Sequence, residues 1–157
     1  KQIKQFNGHE HWVIDLCAVD KNVFVSASAD QSIKVWDIES GTCIHTIEKA
    51  HTNIVNALLY CARESVLISS SDTIRVWDLK VGQSKNKKIA SCTLKYTLMN
   101  HFDESCCKIV FVDEHNSNHI IVGDAAGNIL VFDIKLGIYI NSIAKAHEKR
   151  ISSLASA

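Results

Sequence analysis

The sequence predicts an all-β chain assembled from four-stranded antiparallel units, and three observations carry that reading. Short runs of β-branched and apolar residues recur, among them "VFVSASA", "SIKVWDI" and "TCIHTI", with Gly, Asn, Asp or Ser at the turns between them. No stretch long enough for a helix shows a 3.6-residue apolar period with caps. A histidine phrase and an aromatic-Asp phrase also alternate along the chain. "GHEHWVIDL" returns as "AHTNIVNAL", "NHFDESCCKI" and "AHEKRISSL", placing histidines at 9, 51, 101 and 147 with spacings of 42, 50 and 46. The closing phrases are "SIKVWDIESG" (32–41), "TIRVWDLKVG" (73–82) and "NILVFDIKLG" (128–137).

The elements follow in order, with strands a to d in each unit. The first unit has a near 13–19, b near 23–28, c near 33–38 and d near 43–47. The second has a at 54–60, b at 65–70, c at 74–79 and d at 91–98, and the third 107–112, 119–123, 128–134 and 138–143. Residues 1–6 occupy the place of a strand d and 151–156 that of a strand a. The repeat units run about 9–49, 50–99 and 100–145, and 146–157 begins a further one.

Composition bounds the function. The chain has 157 residues, 46% hydrophobic and 22% charged, with 17 basic and 17 acidic residues. That is a globular chain with enough length for a real core. A net charge of zero argues weakly against nucleic-acid binding as the main task. No apolar run approaches a membrane span, and "KQIKQFNGHEH" does not read as a secretory signal. Six cysteines without a CxxC pair, and no N-x-[ST] sequon, point to a reducing compartment, cytoplasmic or nuclear.

A quasi-period in the forties, opened by His and closed by Trp-Asp, resembles the WD40-repeat family, whose blades form β-propellers. The resemblance covers essentially the whole chain and is closest in the first unit. It implies a structural tetrad of His9, Ser26, Asp30 and Trp36 within that blade. The indole N–H only donates, so a buried Trp36 needs an acceptor such as the Ser26 hydroxyl. The second unit matches at His51 and Trp77, with Ser69 and Asp72 as partners across a shorter b–c turn. The third is degenerate: His101 remains, Phe132 replaces the tryptophan, and Val122 and Ala126 stand where Ser and Asp would fall. That blade is expected to hold mainly by apolar packing. Propellers close with at least about four blades. Three units plus two orphan strands therefore suggest part of a larger ring, or an assembly completed by a partner or by self-association.

Some features lie outside the repeat. "KVGQSKNKKIASC" (80–92) reads as an enlarged c–d loop carrying Lys80, Lys85, Lys87 and Lys88 without an acid. It suits an acidic partner, phosphate or RNA, or serves only as a solvated loop; no aromatic supplies a stacking platform. "DEHNSNH" (113–119) has His115 and His119 near two acids, but a hairpin loop does not stack them as a helix would, and no metal is expected. Cys106-Cys107 reads as one buried and one exposed strand residue.

The fourth residue of the Trp-Asp-x-Arg motif, arginine in relatives that dock on cullin-type ubiquitin-ligase adaptors, is replaced here by Glu39, Lys80 and, after Phe-Asp, Lys135. A propeller surface formed by the d–a and b–c loops commonly takes partners in the family. The candidate contacts are His11, Trp12, Ala29, Asn53, Ile54 and Arg150, and Trp12 serves equally as an inter-blade packing residue. The leading expectation is a protein-interaction scaffold with no catalytic residues and no cofactor. The alternative is an RNA-associated propeller whose basic strip joins 80–88 to Arg63, Lys108 or Arg150. An enzyme domain would need a nucleophile elbow and oxyanion site that the sequence does not offer.

Overall fold

The computed structural model describes residues 3–98, 105–113 and 118–155. Among these residues, twelve strands form three four-stranded antiparallel sheets. The first is β1 (Val13–Ala18), β2 (Val23–Ser28), β3 (Ile33–Asp37) and β4 (Thr42–Ile47). The second is β5 (Ala57–Cys61), β6 (Val66–Ser70), β7 (Ile74–Ser84) and β8 (Lys87–Leu98). The third is β9 (Cys106–Phe111), β10 (His119–Asp124), β11 (Ile129–Asp133) and β12 (Ile138–Ile143). Each sheet is a meander, pairing strands in chain order.

The blades stack because the faces of their middle strands that meet are apolar. Val23, Val25, Ala27, Ile33 and Val35 of the first blade are fully buried against Leu58, Leu67, Trp77 and Leu79 of the second. Val66, Ile68, Ile74 and Val76 then meet Ile109, Ile120, Leu130 and Phe132 of the third. Each such side chain contributes about 1.5–3 kcal/mol on leaving water, so the core lies between blades rather than within one.

A backbone tie repeats at each junction. Val55 N–H donates to Ser28 C=O at 3.3 Å, Cys106 N–H to Ser71 C=O at 2.6 Å, and Ile151 N–H to Asp124 C=O at 3.1 Å. A register shift also falls just before each closing aromatic, at Val35/Trp36, Val76/Trp77 and Val131/Phe132. These bulges bend the outer strand around the aromatic.

Several expectations change. Residues 3–6 form no strand; instead Phe6 lies over the first blade, its ring edge-on to Phe24 at 5.0 Å and Trp36 at 5.9 Å. Residues 151–155 form no strand either, although Ile151 is buried on Gly123. The 54–60 strand begins only at Ala57: Val55 N–H is used in the junction to Ser28 of the first blade, and Asn56 N–H bonds within its own blade to Ser70 C=O.

The largest correction concerns 80–92. This segment is no loop: β7 runs straight through Gly82 to Ser84, and β8 starts at Lys87. Positive φ at Lys85 (45°) and Asn86 (65°) marks a two-residue turn of the primed type, which matches strand twist. The same D-x-x-x-G phrase makes a tight turn in the other blades, where Gly41 and Gly137 N–H bond back to Asp37 and Asp133 C=O. Here the hairpin is drawn out because Leu79, Val81, Ala90 and Cys92 pack on the first blade beside Ile44.

Candidate functional site

In the first blade the turn between β2 and β3 brings four distant side chains together. Trp36 Nε1–H donates to Ser26 Oγ at 2.8 Å, and Ser26 Oγ lies 2.6 Å from His9 Nε2. His9 Nδ1 in turn lies 2.8 Å from Asp30 Oδ2. With Nδ1–H donating to the Asp30 carboxylate, Nε2 accepts from the Ser26 hydroxyl, and the indole, the hydroxyl and both imidazole nitrogens of this relay all have partners. Burial works against the Asp30 charge. Hydrogen bonds from the Ser32 hydroxyl and N–H, from His9 and from Glu10 N–H outweigh it, holding this carboxyl well below the usual range.

The arrangement superficially matches a Ser-His-Asp triad. Its chemistry differs because Ser26 is buried and its oxygen already accepts the indole proton. A nucleophile needs an exposed Oγ beside an oxyanion site. This is a brace tying β2, β3 and the segment before β1.

The second blade is built similarly but loosened. Trp77 Nε1–H donates to Ser69 Oγ at 2.8 Å, and Ser69 Oγ lies 2.8 Å from His51 Nε2. The shorter turn, closed by Ser71 N–H on Thr73 C=O, leaves Asp72 half out in solvent, where it accepts from Thr52 Oγ1 at 2.7 Å. His51 Nδ1 stands 3.6 Å from Asp72 and makes no hydrogen bond. Burial, reinforced by the Arg75 charge and only partly opposed by Asp72, pushes His51 down to about 4. It is a neutral, buried imidazole.

In the third blade His101 lies outside the described residues, as do His115 and Glu114. Apolar packing around Phe132 is not the whole account. Asp124, fully buried, accepts from Ala126 N–H, Asn128 N–H and Asn128 Nδ2 at 3.0, 2.8 and 2.7 Å. Asn128 Oδ1 then accepts Lys145 N–H at 2.9 Å. The carboxylate has moved to the position of Ser28, and the blade rebuilds its turn around it. "GDAAGN" carried that signal, since Asp with Asn four residues on is a turn-forming pair.

The loop end of the blades collects the candidate contacts. Trp12 is 75% exposed, its ring edge-on to His11 at 5.1 Å, so it serves no blade packing in this structure. Ala29 N–H bonds to Trp12 C=O at 2.9 Å, which holds the loop that carries it. Asn53, Ile54 and Arg150 meet across the second and third blades, lining a cavity of about 250 Å³ with Asn56, Ser105 and Cys107. His11 and Trp12 line a separate hollow beside His9 and Glu10.

The remaining candidates disperse. Cys106 and Cys107 are both buried, not one in and one out. A register shift at Gly123/Asp124 interrupts the alternation there, and burial raises the Cys106 thiol to about 12. His119 faces Asp133 at 3.5 Å, and among the described residues no group of three His, Cys, Asp or Glu is placed to hold a metal. Lys80, Lys85 and Lys87 are exposed on the hairpin, but Lys88 turns to the Asp37 carboxylate at 2.9 Å. Arg63 neighbours Glu64 and donates to Asn118 Oδ1, so it does not extend a basic strip.

Comparison with known proteins agrees with this geometry. The family described as "WD domain, G-beta repeat" matches residues 1–37 and 41–78. Nuclear distribution protein PAC1 of Arthroderma otae is 33% identical over 119 residues, 68% of this chain and 24% of that one. Lissencephaly-1 homolog 1 of Paramecium tetraurelia is 31% identical over 130 residues, 68% of this chain and 32% of its own. The F-box/WD repeat-containing protein sel-10 of Caenorhabditis elegans is 39% identical over 62 residues, 39% of this chain and 10% of that one. The chain thus spans a third or less of these relatives. Among solved structures, U3-55K superposes with a TM-score of 0.75 at 21% identity, covering 92% of this chain and 42% of that one; at that identity the likeness is one of fold. The designed Ika8 protein gives 0.72 at 25% identity, over 97% of this chain and 42% of that one.

Proposed function

The chain belongs to the WD40-repeat β-propeller family, and on that premise we propose that it is a protein-interaction scaffold in an intracellular, cytoplasmic or nuclear, assembly that binds partners through the loop end of its blades. One observation carries the reading: Trp12 at 75% and Ile54 at 40% exposure are large apolar side chains placed at the loops and spared from the core. Tryptophan anchors of this kind dominate many interfaces. The cavity at Asn53, Ile54 and Arg150 adds a guanidinium that suits a partner's carboxylate. Six free cysteines accord with a reducing compartment.

The RNA reading is not favoured, because Lys88 is taken up by Asp37 and Arg63 sits beside Glu64. The test is affinity purification of the full protein against Trp12→Ala and Ile54→Asp variants. Loss of specific partners at unchanged Tm supports the loop end. Unchanged partner recovery by both variants removes it.

A further inference from the structure

We propose that the outward flank of the β7–β8 hairpin is a second docking surface, at the opposite end of the blades, for an acidic extended segment of a partner protein. Side chains alternate between the two sides of a strand, and the pairing sorts the hairpin cleanly. Leu79, Val81, Ala90 and Cys92 face the first blade. Lys80 pairs with Ser91, Gly82 with Ile89, and Ser84 with Lys87, and all six are exposed on the other side.

The flank has a built pattern. Gly82 has no atom within 4 Å of where a Cβ would lie, so the Ile89 side chain opposite, 49% exposed, stays uncovered. Lys80 lies diagonally to one side of it and Lys87 two residues to the other. Lys85 adds a cation at the turn, and no acid occurs from 79 to 93. The first is half-buried Asp78, one step below Lys80. An apolar spot between two ammoniums is the complement of a strand that reads acid-x-apolar-x-acid. Same-face positions in a strand are about 7 Å apart, so carboxylates four residues apart span roughly 14 Å, the separation of the two lysines by the same count.

A protein occupant is favoured over RNA because the flank offers an aliphatic contact and no aromatic ring on which a base could stack. The surface is also rigid. Its far side is packed on the first blade, Lys88 is clamped to Asp37, and the turn is tight. Little backbone ordering is then left for binding, and the cost that remains lies in the lysine side chains. The other two blades, which turn at Gly41 and Gly137, have no such flank.

The test is fluorescence anisotropy of a fluorescein-labelled peptide repeating Glu-Ser-Leu-Ser, titrated with the protein at low and high salt. Binding should weaken with salt. Lys80→Glu with Lys87→Glu should lower affinity at least tenfold, and Ile89→Ser severalfold, at unchanged Tm, while Lys135→Glu, a charge reversal at an exposed lysine of the third blade, leaves it intact. Absence of binding, or affinity indifferent to these hairpin variants, overturns the proposal. So does a single-stranded oligouridylate that binds more tightly than the peptide and is lost with the same variants.

Discussion

Lys88, on the returning strand of the second blade's hairpin, sets its ammonium 2.9 Å from the Asp37 carboxylate of the first blade. The contact is oblique, an ion pair rather than an aligned hydrogen bond. Asp37 also accepts Ser40 N–H at 2.9 Å, and the Ser40 hydroxyl and Lys88 together hold its carboxyl far below the ordinary range. The pair joins two blades at the edge of their shared core. Lys88→Met should cost about 1–3 kcal/mol, because it strands a buried carboxylate. Urea denaturation measures the loss, and adding Asp37→Asn to Lys88→Met should recover part of it.

Ser26→Ala and Ser69→Ala each orphan a buried indole N–H and one imidazole nitrogen. Each should cost about 2 kcal/mol. In the first blade, Asp30→Ala should add a further loss. In the second, Asp72→Ala should cost little, since Asp72 is already half-exposed and 3.6 Å from His51. The difference between the two aspartate variants in thermal denaturation reads out the loosened brace.

Stability should fall with acid in two separate windows. His51 is depressed to about 4 from an ordinary 6.5, so the unfolded chain binds a proton that the folded chain refuses between those values. Its effect is absent above pH 6.5 and grows as pH falls toward 4, to of order 3 kcal/mol. Asp30 and Asp37 are held below their ordinary 3.8, and their stabilisation is lost only as pH falls below that. Urea midpoints at pH 7.5, 6 and 5 should decline, and His51→Gln should flatten that decline while leaving the more acidic window.

Gly127 has φ of +87°, and a Cβ there would run into the His147 carbonyl. Its carbonyl accepts His147 N–H at 3.1 Å, next to the Ile151 tie on Asp124. Gly127→Ala should detach 145–151 from the third blade before it unfolds anything else. Hydrogen exchange is the measurement: the amides of His147 and Ile151 should lose protection while those of Val25 and Ile68 keep theirs.

How much of this was legible in the residues varies from blade to blade. The strand series was readable because alternation and turn residues are local signals, and Trp36 with Ser26, His9 and Asp30 followed from family resemblance. The hairpin was not readable. "DLKVG" and "DIKLG" are nearly the same phrase, yet one stays extended and the other turns, because only the first has Val81, Ala90 and Cys92 to lay on a neighbouring blade. Asp124 was passed over because matching by repeat position looked for an acid at 126 and missed one two residues earlier.

The sequence by itself determined the all-β class and the repeat, because these rest on period-two patterning and on spacing; the residues that brace the first blade came from the family resemblance that the repeat carries. The tertiary structure decided where each blade departs from the repeat: the slack His51, the carboxylate moved to Asp124, the drawn-out hairpin and the exposure of Trp12. Those outcomes depend on what packs against each segment from the neighbouring blade. That is a long-range contact, and no window of local sequence contains it.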